Sequence, residues 1–228
     1  MKPLKTAVVA ILLGVFTLSA YAEDSVQTEG AAVGKWTMDF DAAAKLAGEK
    51  KLPMMLNFTG SDWCGWCKIM DKNVFAEAEW QKFAADHVVL VTLDFPNDKS
   101  VVPEKYVARN AKLQSEFGVQ GYPTYVVLDS DGKTKLGQLG AGQEKTPASF
   151  IGEFKAAIKL SPSNVEAYVK ANPDKAAAFK SAIQEEQAAK KALTDWIETQ
   201  PEKNEENMKK FTDFKARIKE ATEKLAAF

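Results

Sequence analysis

Two apolar runs stand out against an otherwise amphipathic chain. Residues 52–58 are apolar except for Asn57, and residues 87–95 carry Val88, Val89, Leu90, Val91 and Leu93 almost without interruption. Runs this short, with no polar alternation, predict strands covered on both faces. Elsewhere the spacing is helical. Asp39 or Asp41 is placed to cap a helix through residues 42–50, with Phe40, Ala43, Leu46 and Ala47 facing inward and Lys50-Lys51 at its end. Residues 68–83 read as a helix directly after the first strand. A polar loop over 96–103 leads into a helix with Tyr106, Leu113 and Phe117 on its apolar side and Gly118 as its stop. Strands over 125–129 and 135–139 flank the hairpin turn Ser130-Asp131-Gly132-Lys133. Thr146-Pro147 opens a further helix that buries Phe150, Ile151, Phe154 and Ile158. The order predicts an α/β fold: one mixed sheet flanked by helices on both faces.

After Ser161-Pro162-Ser163-Asn164 the pattern changes. The chain becomes rich in Ala, Lys and Glu and loses every strand signal. Residues 174–199 carry a stripe of Phe179, Ala182, Ile183, Ala189, Leu193, Trp196 and Ile197, and the spacing resumes after Gln200-Pro201 at Met208, Phe211, Phe214, Ile218 and Leu225. Residues 161–228 are therefore expected to form an all-α helical hairpin. Its stripes pack on each other and on the domain, or they serve self-association or partner docking; the spacing is compatible with both.

The first residues change the compartment. Lys2 and Lys5 precede an apolar stretch over 7–18, too short to span a bilayer comfortably, and Ala20-Tyr21-Ala22 offers a small-x-small cleavage site. Residues 1–22 are expected to be a signal peptide, with a retained membrane anchor as the competing reading. Periplasmic or secreted localisation follows, and disulfides persist there. Residues 23–35, polar and rich in small residues, are expected to form a flexible leader. The domain proper is then 36–160. Of the 30 basic residues two depart with the signal peptide and none of the 31 acidic ones do, so the net charge moves from −1 to −3. That balance gives no strong attraction to nucleic acid or anionic lipid, and no nucleic-acid partner is expected.

The chain has two cysteines, and they sit three apart in Trp63-Cys64-Gly65-Trp66-Cys67-Lys68. A bridge closing so short a loop removes little entropy from the unfolded chain, so a purely structural staple explains it poorly. At a junction from strand to helix, C-x-x-C is instead the arrangement of redox chemistry.

These residues, together with Gly121-Tyr122-Pro123-Thr124, resemble the thioredoxin superfamily over roughly residues 36–160. The wider Asn57-Phe58-Thr59-Gly60-Ser61-Asp62-Trp63-Cys64 resembles a secreted bacterial subgroup. The resemblance implies a thioredoxin-like fold and makes Pro123 a cis-proline that lies against the cysteine pair and presents backbone to an extended peptide. Two departures are visible. The separation from Cys64 to Pro123 is longer than in thioredoxin, with the extra residues around 96–106. Where thioredoxin has a buried acid on the strand before the active site, this chain has Asn57, whose amide does not accept a proton as a carboxylate does.

The expected chemistry is thiol–disulfide exchange with exported protein thiols and disulfides. Cys64, at a helix N-terminus, is the nucleophile and Cys67, one turn on, the resolving thiol. Lowering a thiol pKa from about 8.5 to about 7 corresponds to about 2 kcal/mol of preferential anion stabilisation. Gly65-Trp66 between the cysteines includes no histidine, which points to a weakly reducing or intermediate potential, recharged by a membrane electron donor. Trp63, Trp66 and Tyr122 are candidates for a substrate-gripping rim, with Trp66 expected exposed, Trp63 mostly packed and Tyr122 open to either role. Asp62 reads as a solvated loop residue and His87 as a surface or strand-end histidine. No cofactor or metal is expected. Two alternatives remain: soft-metal (copper) delivery by the two thiolates with Met54, Met55 or Met70, and a non-catalytic peptide-binding or scaffolding module acting through the helical arm.

Overall fold

A computed structural model of the chain describes residues 26–228; the expected signal peptide and residues 23–25 lie outside the described residues. Among the described residues one sheet forms from β1 (Trp36–Thr37), β2 (Met54–Thr59), β3 (Val89–Asp94), β4 (Thr124–Leu128) and β5 (Lys135–Gly140), in the order β1-β3-β2-β4-β5. β1, β3 and β2 run parallel; β4 and β5 are antiparallel to their neighbours. The sheet is mixed and covered on both sides, as the two unbroken apolar runs require.

Strand alternation sorts the core into two layers. Met54, Leu56, Phe58, Val89, Val91, Leu93, Val126 and Leu128 pack beneath α1 (Phe40–Lys50) and α4 (Glu104–Glu116), against Ala43, Ala47, Leu113 and Phe117. Asp39 caps α1 by accepting the Ala42 amide, and Gly118, at φ +66°, follows the end of α4. On the other face Met55, Leu90, Tyr125 and Val127 pack beneath α2 (Gly65–Met70), α3 (Ala78–His87) and α5 (Pro147–Ile158), whose contributions include Met70, Trp80, Phe150 and Phe154. The register sets the chemistry of this second face. Met55 lies opposite Leu90 and Val127, Asn57 opposite Thr92 and Tyr125, and Thr59 opposite Asp94. The face therefore turns from apolar to polar toward the C-terminal ends of β2 and β3.

Residues 68–83 do not form the single helix that their spacing predicts. α2 passes into a π-helical turn, Asp71–Phe75, and the chain is extended at Glu77 before α3 begins. The wider turn buries Val74 and Phe75 side by side, and Phe75 packs against Trp36, Trp80, Tyr125 and Phe150 at ring separations of 5.2–5.4 Å. Aromatic packing outweighs regular helix here. No proline or glycine in the segment marks the break.

The expected flexible leader also differs. Residues 26–35 are pinned by backbone: Gln27 bridges Thr37, Val33 bridges Val89, the Gly34 amide donates to the Val88 carbonyl at 3.0 Å, and the Tyr106 hydroxyl donates to the Thr28 carbonyl at 2.7 Å. Small polar residues give composition no cue to such bonds, because main-chain groups make most of them.

The C-terminal extension contains the expected hairpin, α7 (Ala176–Glu198) and α8 (Glu205–Ala226), and a helix that the spacing does not reveal, α6 (Pro162–Ala171). Ser161 caps α6 with Pro162 at its first position. Val165, Tyr168 and Val169 of α6 pack with Phe179, Ala182, Ile183 and Leu225, so α6 is the wedge that seats the hairpin. The Ser163 hydroxyl lies 2.9 Å from that of Ser130, tying α6 to the turn between β4 and β5.

Candidate active site

The loop after β2 delivers the first cysteine. The Gly60 carbonyl accepts the Trp63 and Cys64 amides at 3.2 and 2.8 Å, closing a tight turn. A Cβ on Gly60 would lie 2.4 Å from the Trp63 indole, so no side chain fits there. Asp94, at the end of β3, holds the loop from below by accepting the Ser61 amide at 2.9 Å and the Ser61 hydroxyl at 2.5 Å. Asp62 is exposed but is a clamp rather than a merely solvated residue: it accepts the Asn97 and Asp98 amides at 3.1 and 2.9 Å. Those bonds, the one from Asp98 foremost, hold its carboxyl below the usual carboxylate range.

Cys64 is the N-cap of α2, and its sulfur accepts the Cys67 amide at 3.2 Å. The two cysteines form a disulfide, with their Cα atoms 5.3 Å apart. Cys64 keeps 5% of its surface and Cys67 only 1%, so the pair is asymmetric, with Cys64 the more reachable sulfur. An N-cap sulfur with an amide aimed at it is the place where a thiolate is stabilised.

Around the disulfide stand large exposed apolar side chains. Trp63 is 46% and Trp66 48% exposed. Trp63 thus differs from the packed role expected of it: its indole N–H donates to the Phe95 carbonyl at 2.9 Å and its ring meets the Tyr122 ring edge-on at 5.6 Å, while the rest of the side chain stays open. Tyr122 is half-buried and its hydroxyl accepts from the Gln114 amide at 2.7 Å. The Tyr122–Pro123 peptide is cis and Pro123 is buried, so the Trp63–Tyr122 contact joins the proline loop to the cysteine loop. Sequence reasoning missed Ile69, 37% exposed. Its signal is the i, i+3 spacing from Trp66 on one helix.

Met54, Met55 and Met70 are fully buried and divide between the two core layers, Met54 on one face and Met55 and Met70 on the other. His87 ends α3, stacked on Phe83 at 4.6 Å with its Nδ1 2.7 Å from the Phe83 carbonyl. Among the described residues no group of three or more His, Cys, Asp or Glu is placed to hold a metal.

Beside α2 a cleft of about 840 Å³ opens over the polar strand ends, lined by Asn57, Thr59, Ser61, Asp71, Thr92 and Asp94 among others. The Asn57 Oδ1 and Tyr125 hydroxyl are buried with no hydrogen-bond partner. Asp71 opens onto the cleft, and enclosure by protein together with the Asp94 charge pushes its pKa up to about 6. Enclosure and the Asp71 charge raise that of Tyr125 as well. The sequence signal for this polar stripe is the period-2 pairs Asn57/Thr59 and Thr92/Asp94, which an apolar reading of both strands passes over.

A mixed five-stranded sheet, a disulfide of C-x-x-C spacing at the strand-to-helix junction and a neighbouring cis-proline loop define a thioredoxin-fold dithiol protein. The chain belongs to the thioredoxin-like domain family, which matches residues 40–158. It is similar to the disulfide bond reductase DsbH of Chlamydia pneumoniae, 36% identical over 108 residues that cover 47% of this chain and 63% of that protein. It is also similar to the thioredoxin-related protein DsbJ of Chlamydia pneumoniae, 27% identical over 107 residues, 46% of this chain and 30% of that protein. Among solved structures a DsbH oxidoreductase is 30% identical with a TM-score of 0.51, covering 62% of this chain and 96% of that one. The chain spans less than two thirds of the length of the curated relatives it matches. α6, α7 and α8 lie outside the family match.

Proposed function

We propose that this protein is a thiol–disulfide oxidoreductase acting on exported protein substrates, with Cys64 as nucleophile and Cys67 as resolving thiol. The observation that carries the proposal is the N-cap sulfur of Cys64, which accepts the Cys67 amide beside an exposed tryptophan pair. In the dithiol form the Cys64 thiolate attacks one sulfur of a substrate disulfide, and the other substrate sulfur leaves as a thiolate. Cys67 then loses its proton and attacks the Cys64 sulfur. The second substrate thiolate departs, two electrons have passed to the substrate, and the Cys64–Cys67 disulfide remains. The leader pattern of residues 1–22 supports a periplasmic or secreted site of action. There a membrane electron donor restores the dithiol.

Reduction is the favoured direction. Gly65-Trp66 supplies no histidine to the thiolate, and the relative in Chlamydia pneumoniae is a disulfide bond reductase. Equilibration with glutathione buffers, read by alkylation of the free thiols, is expected to give a potential between about −200 and −270 mV; a value near −120 mV is that of a strong oxidant and overturns the assignment.

Trp66, Trp63 and Tyr122 form the substrate rim in this proposal, with the backbone beside Pro123 receiving an extended segment. Covering a half-exposed indole contributes about 1–2 kcal/mol to association. Trp66→Ala is therefore expected to raise KM for a protein disulfide about tenfold with kcat within twofold. An unchanged KM removes Trp66 from the rim.

A further inference from the structure

Cys67 is the more enclosed sulfur of the pair, yet it attacks only after losing a proton, and that proton needs an acceptor within the protein. The Asp71 amide donates to the Cys67 carbonyl, so the two residues stand one turn apart on the same side of the helix, with their Cβ atoms about 6 Å apart. Asn57, on the strand below, offers its unpartnered Oδ1 as a hydrogen-bond acceptor, but a neutral amide takes no proton. Of the two carboxylates that the described residues bring to the cleft, Asp94 has both oxygens engaged by Ser61. The Asp71 carboxylate takes no hydrogen bond or ion pair from any described residue and opens onto the cleft. A cleft of this size and polarity holds water, which connects Asp71 to bulk solvent.

We infer that Asp71 is the proton acceptor for Cys67, taking the thiol proton from the preceding turn as the Cys67 sulfur attacks Cys64. This inference rests on the exchange reaction proposed for the pair. As the new Cys64–Cys67 bond forms, the mixed disulfide breaks and the substrate sulfur leaves with the electron pair; Asp71 becomes a neutral acid and passes its proton to cleft water. In the opposite direction the protonated acid returns a proton to Cys67 as the disulfide opens. Among the described residues the titratable groups facing Asp71 are Asp94 from the end of β3, Tyr125 from β4 and Lys35 on the cleft wall. With a pKa of about 6, Asp71 is a carboxylate at neutral pH and loses its accepting capacity as pH falls through that value.

The test uses the full chain, reduced and mixed with 5,5′-dithiobis(2-nitrobenzoate) in a stopped-flow instrument. The first thionitrobenzoate released reports attack by Cys64, and the second reports attack by Cys67 on the mixed disulfide. The wild-type second phase is expected to slow as pH falls, with a midpoint near 6. Asp71→Asn is expected to slow that phase at least tenfold at pH 7 and to abolish the midpoint, while Asp71→Glu restores most of the rate. A merely structural role would slow both phases alike and keep the midpoint. A second phase at the wild-type rate in Asp71→Asn, or a midpoint that survives the substitution, overturns the inference. An intact second phase alongside a first phase no faster than that of an ordinary thiol would sink the exchange reaction instead.

Discussion

Cys64→Ser is expected to lower kcat/KM for reduction of a protein disulfide by more than about three orders of magnitude, the scale seen when an enzyme loses its nucleophile. A serine hydroxyl at the N-cap still accepts the Cys67 amide, so the helix start survives and the loss is chemical rather than structural. Cys67 cannot take over, because only 1% of its surface is reachable and it stands one turn further into the helix. The complementary Cys67→Ser variant retains the attacking sulfur and lacks the means of release. It is expected to accumulate mixed disulfides with substrates, visible as thiol-sensitive adducts on non-reducing gels and mapped to Cys64 by mass spectrometry. Turnover by Cys64→Ser within tenfold of wild type, or adducts at another residue, would remove the dithiol from the centre of the mechanism. A scaffolding module, by contrast, would keep its partner in both variants.

The largest stability change is expected at Trp80. Its side chain is 1% exposed and its rings lie 5.3 Å from Phe75, 5.8 Å from Phe83 and 5.4 Å from Phe150, at the centre of the layer beneath α2, α3 and α5. Trp80→Ala removes a large apolar surface and leaves a cavity that these rings cannot fill by rotating, a loss of about 3–5 kcal/mol. Urea unfolding checks this as a fall in midpoint at constant slope. A loss below about 1.5 kcal/mol would mean that the π-helical turn is held by something other than this aromatic cluster. Because Asp71 opens that turn and Phe75 closes it, the same substitution is expected to disturb the resolving half of the reaction before the attacking half.

The parts of the fold written in hydrophobic spacing were legible in the sequence. The runs around Leu56 and Val91 announced buried strands, Thr146-Pro147 announced α5, and the stripes from Phe179 and Met208 announced the hairpin. Features set by tertiary contact were not. The π-helical turn exists because Val74 and Phe75 are buried together, and residues 26–35 are pinned by bonds made largely through their own main chain, from backbone and from side chains such as Tyr106 and Thr37. α6 was hidden by its brevity: Val165, Tyr168 and Val169 make too short a stripe to separate from the loop before it. The site divided along the same line. The cysteine spacing and the tryptophans beside it are local, and they were found. Asp71 and Asp94 are 23 positions apart and meet only because the π-helical turn and the end of β3 line the same cleft. An aspartate early in an amphipathic helix and another at a strand's end are each unremarkable alone.

The union of Ser163 with the turn after β4 also fixes a polarity for the whole molecule. β4 runs antiparallel to β2, so that turn lies at the pole of the sheet opposite the one where β2 hands over to Cys64. The two long helices, each about 33–35 Å from end to end, are seated on α6, which joins the sheet at the far pole from the sulfurs. A dye, a bead or an immobilising tag placed where α6 meets that turn would leave the reactive pole facing free solution, giving the chain a built-in handle.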